Sequence, residues 1–564
     1  MSEEDNQMAK QNNNSTKEST TRSGSSANRG NRNNKSRSKR NPNSKGINYK
    51  NAQIQKVKEQ IERDSKKSSA NDISWYSRNP ELLRSAGSLP FATIAGSRPG
   101  GFSVPGVMEI DWIPAFGSGT KPVALNQAAD SMYSFVVHAN SRNYSYTAPD
   151  LMILTLAGMQ VYAMIGAAVR AYGTLKYYNE RNSYLPDALI MAMGFNPQNL
   201  RANLSQMWFD INNFIDQSRQ IWIPNTMPLL ERWYWLNSHV FQDGEGERAQ
   251  KYVFKQSRYF MYAETTATTG SSLVTLGDVL NDLSEPSGGW TWAIFKQGLQ
   301  DMIDALINSE DRGIIYGDLL NAYGQERMYM LQSIPADYTI QPEYNAEVLC
   351  QIENTVECTG LITGLVQIEE DLYPVYQGTN ANPPEPSPVY GPSESVLNFH
   401  MDGQPAPELV MEATRLNTTG CYAYTNGVFG NASQKNSKAW TPTATNAIYA
   451  PYAMGSELVR SIKWWVSDPS TSSGYTVRLS EFVAMTAFAQ ASALEVMAFD
   501  WHPFIYQLRT KPGDAPVTGA TDKFFDVEVT DVAGDFDNYI IMSPEEVKKL
   551  HDTAMFSLFG VPIM

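Results

Sequence analysis

Cysteine is scarce in this chain of 564 residues: Cys350, Cys358 and Cys421 are the only three. An odd count with no close pair excludes a disulfide-stapled scaffold and leaves the fold to packing. Histidine is almost as rare, and His138, His239, His400, His502 and His551 stand about fifty or more residues apart. None belongs to a His-Glu-x-x-His zinc pattern, so metal catalysis has no local support. A nucleophile elbow is missing. Gly117-Ser-Gly-Thr-Lys121 lacks the glycine that a phosphate loop places before its lysine, and Pro122 follows it. The acidic stretches Asp243-Gly-Glu-Gly-Glu247 and Asp531 to Asp537 lack the ligand spacing of a helix-loop-helix calcium site and read as solvated turns. No catalytic residue, metal ligand, cofactor or small-molecule substrate is indicated. Nor does a signal peptide open the chain, since Met1-Ser-Glu-Glu-Asp5 is acidic and runs into Asn/Ser-rich sequence.

What is present is an unequal division of charge. Residues 1–70 carry 16 Lys and Arg against 7 Asp and Glu, whereas residues 71–564 carry 29 against 52. An acidic body repels nucleic acid and a basic tail attracts it, so any such contact is delegated to the tail. From Ser19 to Lys58 there is no acidic residue, while Arg22, Arg29, Arg32, Lys35, Arg37, Lys39, Arg40, Lys45 and Lys50 are interspersed with Asn, Ser and Gly. A segment so poor in apolar residues cannot offset its own conformational entropy and is expected to be disordered in isolation. Residues 51–67 place Ile54, Val57 and Ile61 at helical spacing, the pattern of a short basic helix.

The composition changes at Asn71, where aromatic and apolar residues begin and the folded part is expected to start. The remaining length exceeds the roughly 250–300 residues of a single core, so more than one domain is expected. Pro90, Pro99, Pro105, Pro114 and Pro122, with glycines between 87 and 119, predict an extended arm or loops. Thr147 and Asp150 form a Thr-x-x-Asp box ahead of Leu151 to Val169, nineteen residues without a charge. A run of this length invites comparison with a membrane span, but its Thr155, Gly158, Gln160 and Gly166 fit better a helix buried on all sides. Helices are predicted over 186–193, 197–219, 227–239, 292–307, 316–331, 408–416 and 479–499, and a last one after Ser543-Pro-Glu-Glu546. Strands are predicted within 344–366, at 524–529 and at 539–542. The prolines at 383, 384, 386, 388 and 392 make the 383–392 segment a stiff surface loop. The expected class is predominantly α-helical with minor β, an α+β fold.

A large acidic body with a basic tail has the layout of a shell subunit that encloses RNA, the tails gripping phosphate without regard to sequence. Two rivals stand beside it. One is a non-viral RNA-binding scaffold, whose tail could equally serve solubility or nuclear targeting. The other is a carbohydrate-active enzyme, which would need paired carboxylates in a cleft lined by exposed Trp208, Trp222, Trp233 or Trp235.

Five pieces stand in order along the chain: Ser74-Trp-Tyr-Ser-Arg-Asn-Pro-Glu-Leu-Leu83, Pro105-Gly-Val-Met108, Ala148-Pro-Asp-Leu-Met152 with Gln160-Val-Tyr162, Tyr184-Leu-Pro-Asp-Ala-Leu189 with Ala192-Met-Gly194, and Met227-Pro-Leu-Leu-Glu-Arg232. In these the folded part resembles the capsid proteins of picobirnaviruses, non-enveloped viruses with segmented double-stranded RNA. The resemblance implies intertwined dimers that close into an icosahedral shell, with a shell domain and an outward protrusion, located in the virion and assembled in the host cytoplasm. The organisation expected on this basis is a basic RNA-facing tail over 1–70, a helical shell domain with its extended arm over 71–250, a mixed protruding region over 251–440, and a return to the shell over 441–564. Partners would be further copies of the chain, viral RNA and, during entry, a host membrane. The resemblance also implies self-cleavage of an N-terminal peptide. Asn71, at the junction, is a candidate because an Asn side chain can attack its own peptide carbonyl; an ordinary linker asparagine is the alternative.

Overall fold

The computed structural model describes residues 106–116, 124–141, 145–178, 185–244, 249–264, 270–276, 288–357, 365–368, 373–377, 394–429, 440–467, 475–479, 483–484, 496, 499–510 and 527–561. The basic tail, Asn71 and the 383–392 loop lie outside the described residues.

Eight helices occupy the first half of the described chain: α1 Ala124–Asn140, α2 Ala148–Tyr177, α3 Leu185–Ala192, α4 Pro197–Ala202, α5 Leu204–Ser218, α6 Pro228–Ser238, α7 Trp292–Ile307 and α8 Arg312–Tyr323. α2 starts where the sequence places it. The Thr147 backbone N–H and hydroxyl both donate to Asp150 Oδ2, at 3.0 and 2.7 Å. The other Asp150 oxygen accepts from the Ser271 hydroxyl at 2.8 Å, so the start of α2 is tied to a neighbouring strand. The uncharged run that follows is entirely enclosed by protein. Helices α1, α5, α6 and α7 pack around it. Each of Leu151, Met152, Ile153, Leu154 and Leu156, all fully buried, contributes about 1.5–3 kcal/mol relative to exposure.

Glycines let neighbouring backbones close in on α2. A Cβ at Gly158 would lie 2.6 Å from Ile223 Cδ1, and one at Gly173 would lie 2.6 Å from Ile340 Cγ1 and 3.0 Å from the Ile340 backbone nitrogen. Polar groups on α2 are also used. Tyr162 donates its hydroxyl toward the carbonyls of Ser218 and Ile221 at 3.1 and 3.2 Å, and Arg170 donates to Leu236 O at 3.2 Å. Leu236 O lies in the last turn of α6, where helical donors run out, and Ser218 O, at the end of α5, also accepts from Ile221 N at 2.9 Å.

The strands are β1 Val107–Pro114, β2 Phe241–Gln242, β3 Lys251–Gln256, β4 Phe260–Glu264, β5 Ser271–Thr275, β6 Leu365–Ile368, β7 Tyr373–Gln377, β8 Ser395–Phe399, β9 Thr419–Phe429, β10 Trp440–Ala453, β11 Glu457–Ser467, β12 Tyr475–Leu479, β13 Val483–Ala484, β14 Ile505–Thr510, β15 Val527–Ala533 and β16 Asn538–Met542. Three more helices, α9 Ala346–Glu353, α10 Pro407–Ala413 and α11 Pro544–Leu558, complete the described elements. The largest sheet has the order β12-β11-β1-β3-β2. β1 is antiparallel to β11 and parallel to β3, so residues 107–114 lie between chain segments that follow them by more than a hundred and more than three hundred positions. Two-stranded pairs β4–β5, β6–β7, β9–β10 and β8–β16 and a β13-β14-β15 sheet make up the rest. The fold is α+β, as expected.

Several expectations are corrected. Part of the stretch read as an extended arm is β1, and all eight of its residues are buried. Its prolines are not an obstacle, because Pro105 precedes the strand and Pro114 ends it. The predicted 197–219 helix is divided at Asn203, whose side chain bonds Asn199 O at 2.8 Å and competes with the helical ladder. Of the strands predicted within 344–366, the first part is instead α9, opened by Asn345, whose side chain accepts from the Glu347 and Val348 N–H groups at 3.1 Å, while residues 365–366 open β6. The helix predicted over 316–331 is α8, which stops at Tyr323 because Gly324 adopts φ +79°. The helix predicted over 479–499 is strand at Leu479 and at Val483–Ala484, since β12 finds a partner edge in β11 and β13 finds one in β14. Pairing over long range overrides a helical period there.

Substituting Gly173 with Val should lower stability by about 1–3 kcal/mol through overpacking, read as a lower urea midpoint with an unchanged m-value. An unaltered midpoint would mean that the Ile340 segment does not sit against α2.

Candidate functional site

The predicted phosphate-contacting residues Arg22, Arg29, Arg32, Lys35, Arg37, Lys39, Arg40, Lys45 and Lys50, together with Asn71, fall outside the described residues. The functional geometry that can be built is therefore that of the body, beginning with its buried charges.

Two carboxylates lie inside the largest sheet. Glu109 of β1 accepts from Lys255 Nζ of β3 at 3.3 Å, from Lys463 Nζ of β11 at 3.2 Å and from Trp465 Nε1 at 2.9 Å. Burial raises its pKa, while the two ammonium groups and the indole N–H favour the charged form. Glu457, at the start of β11, is fully buried and accepts from Arg232 Nε at 2.8 Å, Trp233 Nε1 at 3.1 Å and Ser456 Oγ at 2.7 Å. Arg232 also donates to Gln351 Oε1 of α9 at 3.2 Å. Each cluster joins segments far apart in sequence, and in each the carboxylate is buried while one of its cations, Lys463 or Arg232, reaches partly to solvent. Such networks hold elements in register.

The tryptophans singled out as sugar platforms are engaged internally. Trp233 is buried on Glu457, Trp208 donates its N–H to Ile334 O at 3.0 Å, and Trp222 donates to Arg219 O at 2.7 Å. Trp235 packs edge-on against Phe241, 5.3 Å between ring centres. A cleft lined by exposed Trp does not arise from these four residues. The acidic stretches are structural too. Asp243 accepts from Gln250 N at 2.9 Å and from Tyr252 Oη at 3.3 Å, and Asp537 lies 3.8 Å from His400 Nδ1. Among the described residues no three His, Cys, Asp or Glu side chains converge as a metal would require. Cys350 is buried, and burial pushes its thiol up to about 12, so it is not a poised nucleophile.

The surface offers a different feature. β16 carries Tyr539, Ile540 and Ile541 in succession, 53%, 56% and 58% exposed. Beside them a groove of about 560 Å³ runs between β8, β16, α10 and α11, floored by Leu397, Phe399, Val410, Met542 and Leu550. α11 is fixed by its capping box, in which Ser543 N donates to Glu546 Oε2 at 2.9 Å. His551 anchors the helix from below, with Nε2 2.5 Å from Asn417 O. The unbroken apolar run that predicts strand at 539–542 contains the signal for this surface, since Tyr-Ile-Ile cannot place every apolar side chain on one face.

Burial, aided by the Arg415 guanidinium, pushes the His551 imidazole down to about 3 from its ordinary 6.5. It is thus neutral in the folded chain and titrates near 6.5 when unfolded. Stability from this group is complete above pH 6.5 and is lost as pH falls toward 3, by up to about 1.4 kcal/mol per unit. The urea midpoint should drop less between pH 7 and pH 5 in a His551→Gln variant than in the parent. An equal drop would remove His551 as a cause.

Known proteins share both sequence and fold with this chain. The family described as "Picobirnavirus, Capsid protein" matches residues 75–382, more than half of the chain. The capsid protein precursor of a human picobirnavirus (strain Human/Thailand/Hy005102/-) is 25% identical over 549 residues, covering 89% of this chain and 92% of the relative. The X-ray crystallographic structure of the picobirnavirus capsid shares the fold with a TM-score of 0.66 at 20% identity, over 86% of this chain and 98% of that one. With the family matched over residues 75–382 and a relative aligned over 89% of the chain, this chain belongs to the picobirnavirus capsid proteins.

Proposed function

We propose that copies of this capsid protein pair and close into an icosahedral shell around double-stranded RNA, with the basic residues between Arg22 and Lys50 meeting phosphate on the inside. The observation that carries this reading is the charge division: 29 Lys and Arg against 52 Asp and Glu in the body, and the reverse balance in the tail. A wall of acidic bodies repels a polyanion, so the leaders must supply the attraction. Each cation that meets a duplex phosphate releases counterions, giving a salt slope near −0.9 per contact with no sequence preference. Many leaders on one concave surface would multiply a modest individual affinity.

In this reading residues 71–250 and 441–564 form the wall, and residues 251–440 form the protrusion. The pairing of β1 with β11 supports the assignment of the C-terminal part to the wall. Assembly would take place in the host cytoplasm, and a host membrane would be met on entry. Membership of a capsid family weighs against a non-viral scaffold, and the internal use of the tryptophans weighs against a carbohydrate-active enzyme.

Deleting residues 1–50 should leave particles visible by electron microscopy but lower their 260/280 nm absorbance ratio. Particles of unchanged RNA content would overturn the role given to the tail. If self-cleavage occurs at Asn71, the mass of the protein from purified particles will correspond to a chain starting at Asp72, and Asn71→Ala will retain the full-length mass. A full-length mass for the parent protein would dismiss that site.

A further inference from the structure

β8 and β16 form a two-stranded antiparallel pair, with Tyr539 opposite Asn398, Ile540 opposite Leu397 and Ile541 opposite Val396. The outer edge of β8 is closed by side chains. Val396 N donates to Tyr506 Oη at 3.0 Å, and Asn398 N donates to Asn354 Oδ1 at 2.7 Å. On the same edge the carbonyls of Asn398 and Val396 accept from Asn354 Nδ2 at 2.9 Å and Asn417 Nδ2 at 3.4 Å. Backbone groups alternate in direction along a strand, so residues 396 and 398 point away from β16, and 395, 397 and 399 exchange bonds with 542, 540 and 538. It follows that Tyr539 and Ile541 direct their N–H and C=O groups to the far edge of β16. Among the described residues no strand pairs with that edge.

Open edges are ordinarily blunted by a charge or a proline. Asn538-Tyr-Ile-Ile-Met542 has neither. The side chains are also prepared for contact: the Tyr539 ring lies 4.9 Å from Phe536, which is 42% exposed and itself 5.0 Å from Phe504. The two free dyads are symmetric about Ile540. An antiparallel strand of the same sequence, placed across a two-fold axis at Ile540, would pair Tyr539 with Ile541 of the second copy and Ile541 with Tyr539 of the second copy, and would set Ile540 opposite itself. All four edge groups of each strand would then be satisfied, two aromatic–aliphatic cross-strand pairs would form, and no like charges would meet within the strands.

We infer that the outer edge of β16 is an isologous interface, at which two copies of this chain join their β8–β16 pairs into one four-stranded sheet. The four half-exposed apolar side chains on each copy give an apolar contact on the order of 800 Å², about half of a standard interface. The strand pair is therefore the centre of the contact, and the adjoining face of α11 supplies its rim. This rests on the capsid reading, and it names the surface through which subunits meet.

The test uses the full-length chain. Ile541→Pro removes only an outward N–H and Ile541→Lys places a charge at the edge, so both should keep the parent's far-UV circular dichroism and, at concentrations below the parent's association range, its thermal midpoint. Both should weaken self-association at least about tenfold by analytical ultracentrifugation. Residues facing each other in a non-hydrogen-bonded pair have Cα atoms about 4.5 Å apart, within disulfide range. Ile540→Cys should consequently give a covalent dimer under mild oxidation, whereas Asn538→Cys, which faces Met542 of the second copy, should not. Unchanged association of both Ile541 variants, with no cross-link at position 540, would overturn the proposal. Lowered stability of Ile541→Pro with unchanged association would also overturn it, showing that another segment of the same chain occupies the edge. If the parent chain assembles and the variants assemble equally, the edge assignment falls and the capsid reading stands; if the parent chain never assembles, the capsid reading falls.

Discussion

A nineteen-residue run without a charge cannot lie against water, and the fold is organised by the need to enclose it. α2 spans the helical half of the chain, with helices α1, α3, α5, α6 and α7 and the β4–β5 pair packed around it. Its polar side chains bond carbonyls at the ends of α5 and α6 and just beyond α5, so the helix both fills the core and holds the ends of its neighbours. Arg170 illustrates the constraint. Burial draws its pKa down to about 10, yet it remains protonated and bonded to backbone, which places α2 against the end of α6.

The second organising feature is ionic. Glu109 and Glu457 lie on facing strands of one sheet, and each is neutralised by cations from elsewhere in the chain. Taking such groups out of water costs several kcal/mol per ion, so their net stabilisation is small. Their contribution is specificity: β1 has one register against β11 in which Glu109 meets Lys463 and Trp465 while Pro114 meets Glu457. For a subunit made in many identical copies, a single register matters more than added stability.

The interior and the surface of the described body are used differently. Buried carboxylates and tryptophans that would suggest an enzyme are satisfied by one another, as with Trp233 on Glu457 and Trp465 on Glu109. The outside carries an unblunted strand beside an apolar groove. The capsid family to which the chain belongs accords with a body whose buried carboxylates and tryptophans serve packing.

The start of α2, the placement of α7 and the capping of α11 were legible in local sequence, because each depends on neighbours within four residues: Thr147 with Asp150, Thr291 with Ile294, Ser543 with Glu546. The charge asymmetry that motivates the functional reading is also a property of sequence alone, since net charge does not depend on folding. The centrality of β1, the conversion of Leu479 to strand and the joining of Glu109 to Lys463 were not legible. They depend on partners up to several hundred residues away, and no local period encodes which edge a strand will meet. The free edge of β16 belongs to the same class: Tyr-Ile-Ile announces a strand, but only the side chains of Tyr506, Asn354 and Asn417, brought in by tertiary packing, decide which of the two edges in its sheet stays open.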